Sequence, residues 1–210
     1  MPCQLTTMTR RTAPALGLGA LSMMALLLAA CGGGNPLDNP PPVANPPGTT
    51  GQKLSFAYFQ RCVQPILLAQ LPVLQGGAGV NTCASGGCHD DATGTGGALR
   101  IRPQAAQIDV TDAANTATVI RASDMYKNFY SAQAATLPGG ALQSRLLDKP
   151  LLLGVLHGGG QIFASANDAN ALVIAYWINH PAPQGQDEFS TATWSMFTPA
   201  DPVNGTCNTQ

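Results

Sequence analysis

The sequence predicts a mainly α domain with much loop, preceded by a secretory signal peptide and a Pro/Gly-rich tether. Three observations carry that prediction. Apolar residues recur at helical spacing in two stretches, 54–71 and 169–178. Charged residues make up only 10% of a chain that holds 23 Gly and 17 Pro, a balance that favours irregular backbone wrapped around something over long regular elements. At the N-terminus an apolar run gives way to a stretch dominated by Gly and Pro.

Residues 1–30 read as the signal. Arg10 and Arg11 form a positive n-region and ALGLGALSMMALLLAA an apolar h-region that ends at Cys31. No stop-transfer charge follows, which separates it from a spanning helix. The run Leu28-Ala29-Ala30-Cys31 resembles the lipobox of bacterial lipoproteins, and that resemblance implies cleavage before Cys31 and acylation of its thiol and new amino group. Several acyl chains make a stable anchor, at ~0.8 kcal/mol per buried CH₂. Gly32 occupies the position where aspartate marks inner-membrane retention, so the resemblance implies an outer-membrane address, facing the periplasm or the cell surface.

Residues 31–52 are the lipidated cysteine and its linker. GGGNPLDNPPPVANPPGTTG, 32–51, holds five Gly and six Pro in twenty positions and no aromatic residue. It cannot bury a core and reads as a tether, reaching about 60 Å at ~3.1 Å per residue. Residues 53–210 are then one domain by length. Without the signal the chain carries eight Lys/Arg against eleven Asp/Glu, and the absence of a basic cluster argues against nucleic acid as a partner. The only membrane contact expected is through the lipid anchor.

Within the domain, LSFAYFQRCVQPILLAQL places Phe56, Phe59, Val63, Ile66 and Leu67 on one helical stripe. Pro65 lacks the N–H that would reach Arg61, so a kink or two short helices is expected. Residues 72–82 read as a loop and 96–103, GGALRIRP, as an extended segment. Helices are expected over 112–123 and, shorter, over 141–149. The last helix is the clearest: Ser165 and Asp168 have capping-box spacing, and Ala169, Leu172, Val173 and Tyr176 form a stripe that Trp177 and Ile178 broaden. Pro181 stops it at Asn179-His180.

The chemistry concentrates in CASGGCH, 83–89. Of six cysteines, Cys3 leaves with the signal and Cys31 with the anchor, so Cys62, Cys83, Cys88 and Cys207 reach an oxidising compartment. Three uses compete for Cys83, Cys88 and His89. In a c-type haem site two cysteine sulfurs form thioethers and the histidine after the second cysteine ligates the iron. The usual spacing is C-x-x-C-H, and here Ala84-Ser85-Gly86-Gly87 lengthens it. A longer spacer must bulge, and its glycines reach positive φ cheaply. A structural zinc needs four ligands, for which the domain offers only Cys62, Cys207, His157, His180 and scattered carboxylates besides. Plain disulfides, in a haem-free lipoprotein with a structural or interaction role, are the third use. If Cys83 and Cys88 hold haem, Cys62 and Cys207 remain to pair, which brings the C-terminal tail back to the first helix.

The order Phe59, then Val63-Gln64-Pro65-Ile66-Leu67, then Cys83 to His89, then Gly96-Gly97-Ala98-Leu99-Arg100-Ile101 resembles the planctomycete-type cytochrome c domain family. Ser144-Arg145-Leu146-Leu147 and Tyr176-Trp177-Ile178 resemble its later landmarks, so the likeness touches most of residues 56–180. The wider spacer and the insert at 72–82 depart from it. The resemblance implies a cytochrome c-like helical domain and one covalent haem c on Cys83, Cys88 and His89. It implies electron relay to redox partner proteins, with no catalytic residues. Such domains usually take a Met-Pro methionine as sixth ligand, and none exists after the signal. His157, in LLLGVLHGGGQIF, stands at the expected place; Met125, Met196 and an open, peroxidase-like site are the alternatives. A bis-histidine iron lies at a lower potential than a Met-ligated one. HGGG is also similar to the oxyanion loop of esterases, but no G-x-S-x-G elbow accompanies it. Asn204-Gly205-Thr206 matches a glycosylation sequon, read here as chance.

Overall fold

The computed structural model describes residues 51–210. The signal peptide, Cys31 and all but the end of the tether lie outside the described residues. Helix accounts for 34% and strand for 8%, a small mixed helix/sheet fold in which helices build the core and loops build the site. Among the described residues no helix is long and apolar enough to cross a membrane.

The chain enters the fold at Ser55, whose hydroxyl caps the first helical turn by accepting from the amide of Tyr58 at 3.2 Å. That turn, α1 (Phe56–Tyr58), runs into a π-helical turn (Phe59–Val63) and then α2 (Gln64–Leu68). The expected kink is thus a widening. Pro65 has no amide for the Arg61 carbonyl, and the amide of Gln64 reaches back five residues to Phe59. Phe56, Phe59, Val63, Ile66 and Leu67 are all buried, as their spacing demanded. Pro65 faces solvent.

The stretch read as a loop contains an antiparallel hairpin. Strand β1 (Leu71–Pro72) pairs with β2 (Val80–Asn81), Leu71 opposite Asn81. Residues 96–103, expected to be extended, open with a turn at 96–98, and Ile101 makes an isolated parallel bridge to Asp90. Helix α3 (Ala117–Ala122) fills the end of its expected range, capped by Thr116. Helix α4 (Asp124–Ala134), capped by Ser123, is an element the sequence reading lacked. A 3₁₀ turn (Ala141–Gln143) and α5 (Arg145–Asp148) replace the single helix at 141–149.

Helix α6 (Ala169–Asn179) ends where Pro181 required. Its cap is Asp168, whose carboxylate accepts from the amides of Asn170 and Ala171; no capping box with Ser165 forms. Its buried face is Ala171, Ile174, Trp177 and Ile178; of the expected residues Trp177 and Ile178 turn inward, while Leu172, Val173 and Tyr176 are half-buried and Ala169 is exposed. ANALVIAYWIN is apolar on nearly every side, so periodicity alone cannot choose which side turns inward.

The core is where α1, the π turn, α4 and α6 meet. Phe129 lies edge-on to Phe56 at 5.5 Å between centroids, and Trp177 lies 5.3 Å from Phe59. Contacts of this kind add about 0.5–1.5 kcal/mol each beyond the area they bury. The Trp177 indole donates to the Ser55 carbonyl at 2.9 Å, so this large buried ring leaves no polar atom unpaired. The tail then returns through a 3₁₀ turn (Thr191–Met196) and strands β3 (Phe197–Thr198) and β4 (Thr206–Cys207). Cys207 is bonded to Cys62 across 145 residues, and Tyr58 donates its hydroxyl proton to the Asn208 carbonyl. The tail does come back to the first helix.

Candidate functional site

The segment Cys83–His89 is folded by its own backbone. Ser85 donates to the Thr82 carbonyl, Cys88 to Ser85, and His89 to Cys83 at 2.9 Å. The last bond closes the four-residue spacer into a loop, so the wider spacing still sets His89 directly against the residue that opens the motif. Neither Gly86 nor Gly87 has a positive φ, which corrects the expected use of the spacer glycines. Gly86 supplies room instead: a Cβ there would lie 2.8 Å from the Thr93 hydroxyl, whereas Gly87 faces open space. Thr82 ties the loop to the end of α2 by donating to the Leu67 carbonyl at 3.0 Å.

His89 is fixed by the segment that follows the motif. Its carbonyl accepts from the Ile101 amide at 2.7 Å, and its Nδ1 lies 3.2 Å from the Leu99 carbonyl. A carbonyl can only accept, so Nδ1 carries the proton and the lone pair is at Nε2. Gly96 is packed against this ring; a Cβ there would lie 2.7 Å from both Cε1 and Nδ1. Segment 99–102 is held in turn by α4. The Asn128 side chain accepts from the Arg102 amide at 2.7 Å and donates to its carbonyl at 2.9 Å, and Ser131 accepts from the Arg100 amide. Asn128 is fully buried, and pairing both ends of its amide with one residue's backbone makes the segment a fixed strut. The sequence reading missed Gly96, Asn128 and Ser131 as supports, and only the Met125, Phe129, Ala132 spacing could have revealed the helix carrying two of them.

His157 arrives from the loop before α6. Its Nδ1 lies 2.7 Å from the Gly160 carbonyl, so by the same argument it presents Nε2. The two imidazole rings lie within 13° of parallel, with centroids 6.4 Å apart. The rings stack across the cleft, at a spacing of the order that two imidazoles sharing one metal ion at ~2 Å per bond require.

Cys83, Cys88, His89 and His157 line one shallow cleft of about 30 Å³ that opens to solvent, with Leu71, Thr82 and Ile162 among its walls. Cys83 and Cys88 are both free thiols. Burial, with Cys88 adding a smaller effect, pushes the Cys83 thiol up to about 11, so it stays protonated at neutral pH. Burial also lowers the proton affinity of His89; the Leu99 carbonyl opposes this, and nearby His157, Arg100 and Lys149 add to it. A neutral imidazole is the form that binds a metal.

Among the described residues no group of three or more His, Cys, Asp or Glu side chains converges as a metal-ligand set. Met125 and Met196 are buried in the core and line no part of the cleft. His180 is exposed at the end of α6, stacked on Tyr176 at 3.8 Å. No family model, curated protein or solved structure matches the chain.

Proposed function

We propose that this chain is a lipid-anchored monohaem c-type cytochrome that relays electrons at the outer membrane. The observation that carries the reading is the pair of facing histidines beside two free thiols. His89 and His157 are 6.4 Å apart, near parallel, each with Nδ1 engaged by a backbone carbonyl. The resemblance of the flanking segments to the planctomycete-type cytochrome c domains and the lipobox at Cys31 support the same reading.

A haem bound here supplies a one-electron couple. The chain's own residues hold and tune it. Cys83 and Cys88 offer thiols for two thioether bonds, each S–H adding across one vinyl group. His89 and His157 would ligate its iron through Nε2, and the carbonyls of Leu99 and Gly160, which accept from each Nδ1–H, fix the ring orientations. Two imidazoles set a lower potential than an imidazole and a thioether. The open side of the cleft leaves an edge for a redox partner to approach. Large apolar side chains, Leu74 and Val80 on one flanking segment and Leu153 and Leu156 on the other, are exposed, surface that an apolar macrocycle can cover.

The reading is tested by a pyridine haemochrome spectrum of protein exported with its signal in a host that matures c-type cytochromes. The expected result is the α-band of a haem with both vinyl groups saturated, lost in Cys83→Ser/Cys88→Ser. A chain that exports and folds without an α-band overturns it and leaves the haem-free lipoprotein.

A further inference from the structure

We infer that the hairpin Leu71–Asn81 positions His157 opposite His89 although it supplies no ligand itself; the inference rests on the haem reading above. The loop carrying His157 is joined to the hairpin by a reciprocal pair of backbone bonds. Leu74 donates to the Gln161 carbonyl at 2.8 Å and Gln161 donates to the Gln75 carbonyl at 2.6 Å. The two backbones touch at Gly160, which is buried with φ +76°. A Cβ on Gly160 would lie 2.3 Å from the Gln75 carbonyl oxygen and 2.9 Å from the Val73 side chain, and one on Gly76 would lie 3.3 Å from the Gly160 Cα.

Gly160 is also the residue that orients the ring: its carbonyl holds His157 Nδ1 and its amide donates to the His157 carbonyl at 2.9 Å. Anything that moves Gly160 off the hairpin therefore moves the imidazole. The hairpin's second strand reaches the other side of the cleft, where the Asn81 side chain donates to the Cys88 sulfur at 3.6 Å. One short hairpin thus spans from a haem-bearing cysteine to the loop of the second ligand. Gly160 and the hairpin are positioning elements, and the bridge at Gln75 and Gln161 sets whether His157 is in reach of the iron.

The test compares Gly160→Ala with Gly158→Ala, since a Cβ on Gly158 meets nothing within 4 Å. In the haem-loaded protein, Gly160→Ala is expected to turn a low-spin spectrum largely high-spin and to open the iron to added cyanide, while Gly158→Ala stays low-spin. In the same samples amide exchange at Gln161 should quicken by about tenfold in Gly160→Ala, the order expected for losing one hydrogen bond. A low-spin Gly160→Ala spectrum with unchanged exchange overturns the inference, and so does equal conversion in Gly158→Ala. If Gly160→Ala does not fold, Gly76→Ala presses on the same contact from the hairpin side and is read identically. Wild-type protein that takes no haem refutes the haem reading instead. The hairpin's hold is then read in that haem-free chain, where Gly160→Ala should speed Gln161 exchange and shift the His157 ring resonances, and no change in either refutes it.

Discussion

A single methyl group at Gly96 tests whether His89 is held as tightly as its partners require. A Cβ there would sit 2.7 Å from two atoms of the His89 ring and 2.6 Å from the Cys88 carbonyl oxygen. Ordinary contact begins at 3.4 Å, so the ring must move by roughly 0.7 Å, beyond the ~0.5 Å within which a functional constellation has to be held. The Gly96 amide also donates to the Cys88 carbonyl, so the segment cannot simply swing away. Overpacking of this kind costs about 1–3 kcal/mol. Gly96→Ala is therefore expected to lower stability by that amount in urea unfolding and to reduce the haem α-band per mole of folded protein. Gly87→Ala, inside the cysteine motif but with open space around its Cβ, should change stability by no more than ~0.5 kcal/mol and leave the α-band unchanged. Equal stability and equal haem content in the two variants would show that the Gly96 contact does not fix His89.

Three further predictions follow from other parts of the molecule. Cys207→Ser opens a loop of 145 residues and should lower stability by about 5 kcal/mol on the chain-entropy model, seen as a drop in urea midpoint that reduction of the wild type reproduces. Glu188 is buried against Arg121 at 2.9 Å and the Tyr126 hydroxyl at 2.7 Å, and Glu188→Ala should cost ~2 kcal/mol by leaving both donors without their acceptor. Burial works to raise the Glu188 carboxyl, but Arg121 and Tyr126 outweigh it and hold it below its ordinary 4.5. Its contribution is thus present above that pH and lost as pH falls through the depressed value, so Glu188→Gln should flatten the acid limb of stability against pH. His157→Ala should convert a low-spin haem spectrum to high-spin; an unchanged low-spin spectrum would place the second ligand elsewhere.

The sequence was most legible where one physical cause dominated. The stripe from Phe56 to Leu67 and the stop at Pro181 are forced by burial and by a missing amide. The pairing of Cys62 with Cys207 followed from what the motif left over. The face of α6 was only partly legible, in Trp177 and Ile178, because nearly every side of it is apolar. Helix α4 was readable in principle, with Ser123 as cap and Met125, Phe129 and Ala132 at helical spacing, but Tyr, Asn and Ser between them weaken that pattern. What no local pattern contains is the chain of backbone contacts that orients the site: Asn128 to Arg102, Leu99 to His89, Gln75 to Gln161. These join residues 10 to 86 positions apart, each through at least one main-chain group, which every residue type shares. Cys83, Cys88 and His89 were legible as a candidate site; the means of holding His89 and His157 face to face was not.

The central claim is that Cys83 and Cys88 carry haem between His89 and His157. Intact-mass measurement of the exported protein under non-reducing conditions, with alkylation of free thiols, tests it most directly. The account predicts a mass increased by one haem, no alkylatable thiol at Cys83 or Cys88, and one disulfide, Cys62–Cys207. A chain without that increment, with Cys83 and Cys88 alkylated or bridged to each other, would contradict it.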